Sequence, residues 1–164
     1  MTTSQDAARV TLGSPWRLPT SAEFQELFDN CDFVQADGNT VIEAGTTDKR
    51  VTVNGVLGIY LKSKINGNLL FFACSGLGRG SNWDSHESNG YYWSSSYASM
   101  RNAYNLYFYS GGFIPQNRSS RFSGFPVRPV FGAGLRSTNR GFSLTVVDES
   151  LVREVDDSRF VTKN

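Results

Sequence analysis

Aspartate and glutamate are missing from the whole stretch between Ser88 and Val147, although the chain carries fifteen of them. A calcium-dependent sugar site needs clustered carboxylate and amide oxygens around a hard cation. The gap removes the downstream partners that Asn82-Trp83-Asp84 would require. Histidine is reduced to His86, and cysteine to Cys31 and Cys74. Their spacing fits neither a zinc site nor a CxxC redox pair, so the thiols are expected to be buried and to behave as small apolar residues. With His86 the sole candidate base and no G-x-S-x-G elbow around Ser94-Ser95-Ser96, a hydrolytic triad is not expected. No catalytic residue, metal or cofactor is assigned, and the chain is not read as an enzyme. Long apolar runs are lacking too, since none reaches the roughly 18 residues of a membrane-spanning helix. The start MTTSQDAARV has neither the charged n-region nor the apolar h-region of a signal peptide. As given, the chain is read as soluble and not inserted in a membrane, and its location is left open between a cell surface and a phage particle.

The remaining charge is balanced. Sixteen basic against fifteen acidic residues give a net +1, so no global field recruits nucleic acid or an acidic membrane. The acid-free stretch holds Arg101, Arg118, Arg121, Arg128, Arg136 and Arg140. These are spread without an RNP-like or OB-like pattern, so nucleic acid is not an expected partner. The 164 residues suffice for one domain with a real core. That domain is placed at 1–130, with a C-terminal extension at 131–164.

Thr20-Ser21-Ala22-Glu23 has the form of a capping box, and Phe24, Leu27, Phe28 and Cys31 follow at i, i+3, i+4 and i+7. This predicts a helix from Ser21 to Asn30 with an apolar stripe. Strands are expected at Val51–Val53 and Gly58–Ser63, and Asn66-Gly67 between IYLKS and LLFFA signals a hairpin. The segments 37–48 and 75–89 are rich in Gly, Ser, Asp and Thr and read as irregular loops. In the extension, Phe142, Leu144 and Val146 alternate as in a strand, and 148–160 reads as a short helix.

The segment from Gly90 to Gly124 differs from the rest. Of its 35 residues, 21 are Tyr, Ser, Gly or Asn, and six of the seven tyrosines lie in it. Antibody paratopes use the same vocabulary, because Tyr offers a large amphipathic contact area at low entropic cost and Ser, Gly and Asn adapt their hydrogen bonds. Ala103 to Tyr109 alternates as a strand, with Tyr104, Leu106 and Phe108 on one face and Asn105, Tyr107 and Tyr109 on the other. With Leu106 and Phe108 inward, Tyr107 and Tyr109 stand outward together, unless protein covers both faces.

WRLPT at Trp16–Thr20 followed by EFQEL, NGV-G near Val53, SKINGN, GYYWSSS at Gly90–Ser96 and PVRPV resemble the Fibrobacter succinogenes major paralogous domain of Bacteroides-type bacteria. The resemblance runs from about Asp6 to Val130. That family is related to the formylglycine-generating-enzyme branch of the C-type lectin fold. It implies an α+β domain in which a helix packs on a twisted antiparallel sheet with long irregular loops. Oxidase chemistry of that branch would need a reactive cysteine pair at a cleft, and neither Cys31 nor Cys74 sits in a motif that lowers a thiol pKa.

A narrower resemblance covers 93–130, where WSSSY, NAYNL-F-SG, PQN and RF-GFPVRPV look like the variable region of a diversity-generating retroelement's target protein. In such systems an error-prone reverse transcriptase rewrites template adenines, so particular positions scatter while framework words stay fixed. Carried onto this chain, the ligand-binding positions are Tyr97, Ser99, Met100, Arg101, Tyr107, Tyr109, Phe113, Ile114, Arg118, Ser119, Ser120 and Ser123. Trp93, Leu106, Phe108, Phe125 and Val127 are framework. The expected function is recognition of a protein or surface ligand by a Tyr/Ser/Arg-rich face. The alternatives are a carbohydrate-binding domain of fixed specificity and a structural module of an envelope or phage assembly. The oligomeric state is left open.

Overall fold

A computed structural model describes residues 5–132. In chain order the elements are α1 (Ala7–Leu12), β1 (Trp16–Arg17), α2 (Ser21–Asp29), β2 (Cys31–Phe33), β3 (Arg50–Val53), β4 (Val56–Ser63), β5 (Leu69–Ala73), β6 (Leu77–Arg79), β7 (Asn82–Asp84), β8 (Gly90–Tyr97), β9 (Asn102–Tyr109), β10 (Gly112–Ser120) and β11 (Val130–Phe131). The strand and helix expected at 142–160 lie outside the described residues.

Thr20 starts α2 as its sequence implies. Its hydroxyl accepts from the Glu23 amide at 3.1 Å, and the Glu23 carboxylate accepts from the Thr20 amide at 2.7 Å. Phe24, Leu27, Phe28 and Cys31 are all buried, so the i, i+3, i+4, i+7 stripe faces the core. Arg17 donates to both Glu23 oxygens, at 2.8 and 2.5 Å, which locks the helix start to β1.

The α+β, C-type lectin-like architecture expected above is overturned. Strands make up 45% and helices 12% of the described residues, with two short helices and several small antiparallel sheets instead of one helix packed on one sheet. The physical reason lies in the strands' pairings. The four sheets are β1-β11, β10-β9-β8, β2-β4-β3 with β5 added to β4, and β6-β7. No strand of one of these sheets pairs with a strand of another, so they do not form one continuous layer.

Turn chemistry sets the local pairing. Asn54 and Gly55, both at positive φ (50° and 82°), form a two-residue connection between β3 and β4, with Val53 opposite Val56. The hairpin expected at Asn66-Gly67 is present between β4 and β5, but its last pair is Lys62 with Leu69 and only Gly67 has positive φ. Residues 75–89, expected to be irregular, contain the β6–β7 hairpin, in which Leu77 faces Asp84 and Arg79 faces Asn82.

The core joins Phe24, Leu27 and Phe28 of α2 to Ile59 and Leu61 of β4, Phe72 of β5, Tyr92 of β8, and Leu106 and Phe108 of β9. Both cysteines are free and buried against it. Gly90 lies directly opposite Phe108, and a Cβ there would run into the Phe108 ring. The ring thus fills the space over a glycine that no other residue could replace without movement.

Candidate functional site

The three-stranded sheet β10-β9-β8 carries the Tyr-rich segment. Leu106 and Phe108 are fully buried, as alternation requires, and Tyr107 and Tyr109 lie half-buried on the other face. There Tyr109, Tyr107, Tyr91, Phe125 and Trp93 stack in sequence, with ring centroids 5.0, 4.7, 4.9 and 4.2 Å apart and interplanar angles of 28° or less. A ladder of this kind is stiff and fixes the tyrosines from ring to ring. Burial, a hydrogen bond with Tyr91 and the neighbouring phenols push the Tyr107 hydroxyl up to about 12, so it keeps its proton at neutral pH.

At one end of this sheet two turns meet. Ser99 accepts from the Asn102 amide through Oγ at 3.1 Å and donates its own amide to the Asn102 carbonyl at 3.0 Å, closing a turn with Met100 and Arg101 at its tip. After β10, the Ser123 amide donates to the Ser120 carbonyl at 3.1 Å, and this second turn carries Arg121 and Phe122 at its tip. The Arg121 amide donates to the Arg101 carbonyl at 2.9 Å, which holds the tips side by side. Met100 is 87% and Phe122 is 89% exposed, both far from the usual place of large apolar side chains. Tyr97, at the end of β8 beside the first turn, is exposed as well.

Behind the second turn, β6 closes over the sheet. Gly78 and Gly124 exchange backbone hydrogen bonds at 2.7 and 2.8 Å, and a cavity of about 610 Å³ opens beside this bridge. Tyr107, Arg118, Ser119, Ser120 and Ser123 line it together with Leu77, Arg79, Tyr91, Asn117, Phe122 and Phe125. Ser119 Oγ accepts from Asn105 Nδ2 at 2.8 Å and from Asn117 Nδ2 at 3.2 Å. Asn105 is completely buried, and its Oδ1 has no partner.

The remaining residues expected in the site are placed differently. Phe113 pairs with Phe108 and, though partly exposed, stacks on Phe28 and meets Phe33 at a tilt, each with ring centroids 4.8 Å apart. Ile114 is exposed opposite Tyr107 on β10 and does not line the cavity. The Arg118 guanidinium lies over the Tyr104 ring, 5.1 Å from its centroid, and donates to the Tyr104 hydroxyl at 2.8 Å. The twelve positions therefore divide among the turn tips, the cavity, the tyrosine ladder and the remainder of β10. Sequence reasoning missed Arg79, Tyr91, Asn117 and Phe122, and it noted Arg121 among the arginines of the acid-free stretch without placing it in the site. Tyr91 was within reach, since the alternation of GYYWSSSY puts it on one face with Trp93. For Arg79 no local signal exists.

Burial pushes both the Cys31 and the Cys74 thiol up to about 11. Thiols that stay protonated are weak nucleophiles and poor metal ligands. Among the described residues no three His, Cys, Asp or Glu side chains stand close enough to hold a metal ion, and no helix is long and apolar enough to cross a membrane. What the arrangement offers is contact area, hydrogen-bond donors and positive charge. No known protein family matches the chain, and comparison with curated proteins and with solved structures gives no match either.

Proposed function

We propose that the chain is a ligand-binding display protein that recognises a protein or surface ligand through the end of the sheet β10-β9-β8. The observation that carries this reading is the pair of joined turn tips, each presenting one large exposed apolar residue and one arginine: Met100 with Arg101, and Phe122 with Arg121. Exposed apolar groups rimmed by arginine, with no acid in the same stretch of chain, fit an interface better than a solvated surface. Beneath them, the buried Leu106 and Phe108 hold the backbone independently of the tip side chains. Replacing a tip residue then changes the ligand without unfolding the protein.

The resemblance of 93–130 to retroelement variable regions adds a source for such replacement. On this reading adenine-directed mutagenesis diversifies the twelve positions named above. Deep sequencing of the gene in its source population tests it. Variation confined to those positions, and of adenine-derived type, is the expected result. Uniform invariance, with no near-copy of the 93–130 coding segment in neighbouring DNA, would overturn diversification and leave a domain of fixed specificity.

A further inference from the structure

We infer that the cavity between β6 and the sheet β10-β9-β8 binds the side-chain carboxylate of an acidic peptide segment presented by a partner protein. The inference rests on the reading of this region as a recognition surface and specifies its ligand. Its volume of about 610 Å³ suits a few residues of a peptide. Leu77 and Arg79 are two apart on β6 and therefore share the face that closes the cavity. The Arg79 side chain has no ion pair or hydrogen bond among the described residues, and no acid lines the space. Arg79 is exposed at the end of β6, so its guanidinium is free to pair with a carboxylate that enters the acid-free cavity.

The hydrogen-bonding groups narrow the choice further. Ser119 Oγ already accepts from Asn105 and Asn117, so the Ser119 hydroxyl proton is left to donate. The Asn117 amide is committed to the same oxygen by one of its two protons and keeps the other. Tyr91 and Tyr107 stack with ring centroids 4.7 Å apart, and of their two phenolic protons at most one can be taken up between them. Phe122, Phe125 and Leu77 supply apolar wall. A wall of donors beside an apolar floor matches a group that only accepts and is carried on a short apolar stem, which describes Asp and Glu. A sugar matches less well, because each of its hydroxyls also donates and the cavity holds no carboxylate to receive the proton.

The test is a titration of the full chain, followed by amide and arginine Nε signals in ¹H–¹⁵N spectra. The probes are acetyl-triglutamate amide, acetyl-triglutamine amide and glucuronate. Triglutamate should shift Arg79, Asn117 and Ser119 in a saturable way that weakens as salt is raised, and triglutamine should bind at least about tenfold more weakly, the low end for a hydrogen bond to a charged group. Arg79→Gln breaks no bond within the described fold and should weaken triglutamate by about the same factor. Equal binding of triglutamine, an unchanged affinity in R79Q, or no saturable shift at all would overturn the inference. Stronger binding of glucuronate than of triglutamate would overturn it in favour of an acidic glycan. Failure here with position-confined variation in the population removes only the ligand class. Triglutamate binding in a population without variation keeps the cavity site and removes the diversified display.

Discussion

The Arg121 amide donates to the Arg101 carbonyl at 2.9 Å, so two turns from different strand connections share one edge and offer their tips as a unit. Because that bond uses only backbone atoms, it survives any side-chain replacement at either position except proline at 121. A surface whose shape is set by backbone and whose chemistry is set by side chains is what variable recognition requires.

Stability measurements separate the two parts. Met100→Ala and Phe122→Ala should each change the unfolding free energy by less than about 0.5 kcal/mol, as exposed substitutions do. Leu106→Ala, at a fully buried position on the central strand of its sheet, should cost about 2–5 kcal/mol. Urea melts of the three variants decide the matter. A loss at Met100 or Phe122 comparable to that at Leu106 would make the tips part of the fold, and a replaceable face could not be built from them.

Gly90 is the second sharp case. It lies opposite Phe108, whose ring occupies the place a side chain would take. Gly90→Ala should destabilise by about 1–3 kcal/mol through overpacking. Trimming the ring should relieve part of this, so Gly90→Ala combined with Phe108→Leu is expected to be more stable than the sum of the two single changes predicts. Additive losses in a double-mutant cycle would show that the strain arises elsewhere.

Much of this was legible in the sequence where the determinant is local. The capping box at Thr20, the apolar stripe of α2 and the alternation of 103–109 each act within a few residues; the first two have their expected outcome, and the third puts Leu106 and Phe108 in the core while Asn105, on the opposite face, is buried as well. Non-local pairing was not legible. The β6–β7 hairpin forms from Gly, Ser and Asn residues that read as loop, and it is held over the sheet by the Gly78–Gly124 bridge, across more than forty positions. Phe113 shows the cost of a register shift. The irregularity between Ile114 and Asn117 separates β10 into two differently phased halves, and Phe113 falls beside Phe28. The fold class failed for a related reason, since one well-marked helix says nothing about how many short strands share out the rest of the core.

Ser119 offers a prediction that joins fold and function. Its hydroxyl oxygen accepts from the buried Asn105 amide at 2.8 Å, and removing it leaves a buried donor unpaired. Ser119→Ala should therefore cost about 1–3 kcal/mol, whereas Ser120→Ala at an exposed position should stay within about 0.5 kcal/mol. The same difference should appear in natural variants, with position 119 confined to residues that can accept from Asn105 and position 120 free. Equal tolerance at 119 and 120 in chemical denaturation would show that the Asn105 bond contributes nothing.

The acid limb of stability should be governed in part by Glu23. Burial pushes its carboxyl up, but hydrogen bonds from Arg17 and Thr20 and the Arg17 charge outweigh burial, so its pKa in the folded protein lies below the ordinary 4.5. Above 4.5 the carboxyl is ionised in folded and unfolded chains alike, and its stabilising contribution is complete. As the pH falls below that value the unfolded chain takes up a proton first, and the contribution is lost as the pH drops through the folded pKa. Glu23→Gln removes the partner of a largely buried Arg17 and should cost about 3–5 kcal/mol at neutral pH. It should also flatten the decline between pH 5 and the acid transition, because the titrating group is gone. Unfolding midpoints measured across that range distinguish the outcomes. Parallel curves for the two proteins would mean that Glu23 does not titrate differently in the folded state, and that the capping box and the Arg17 pair contribute alike at every pH.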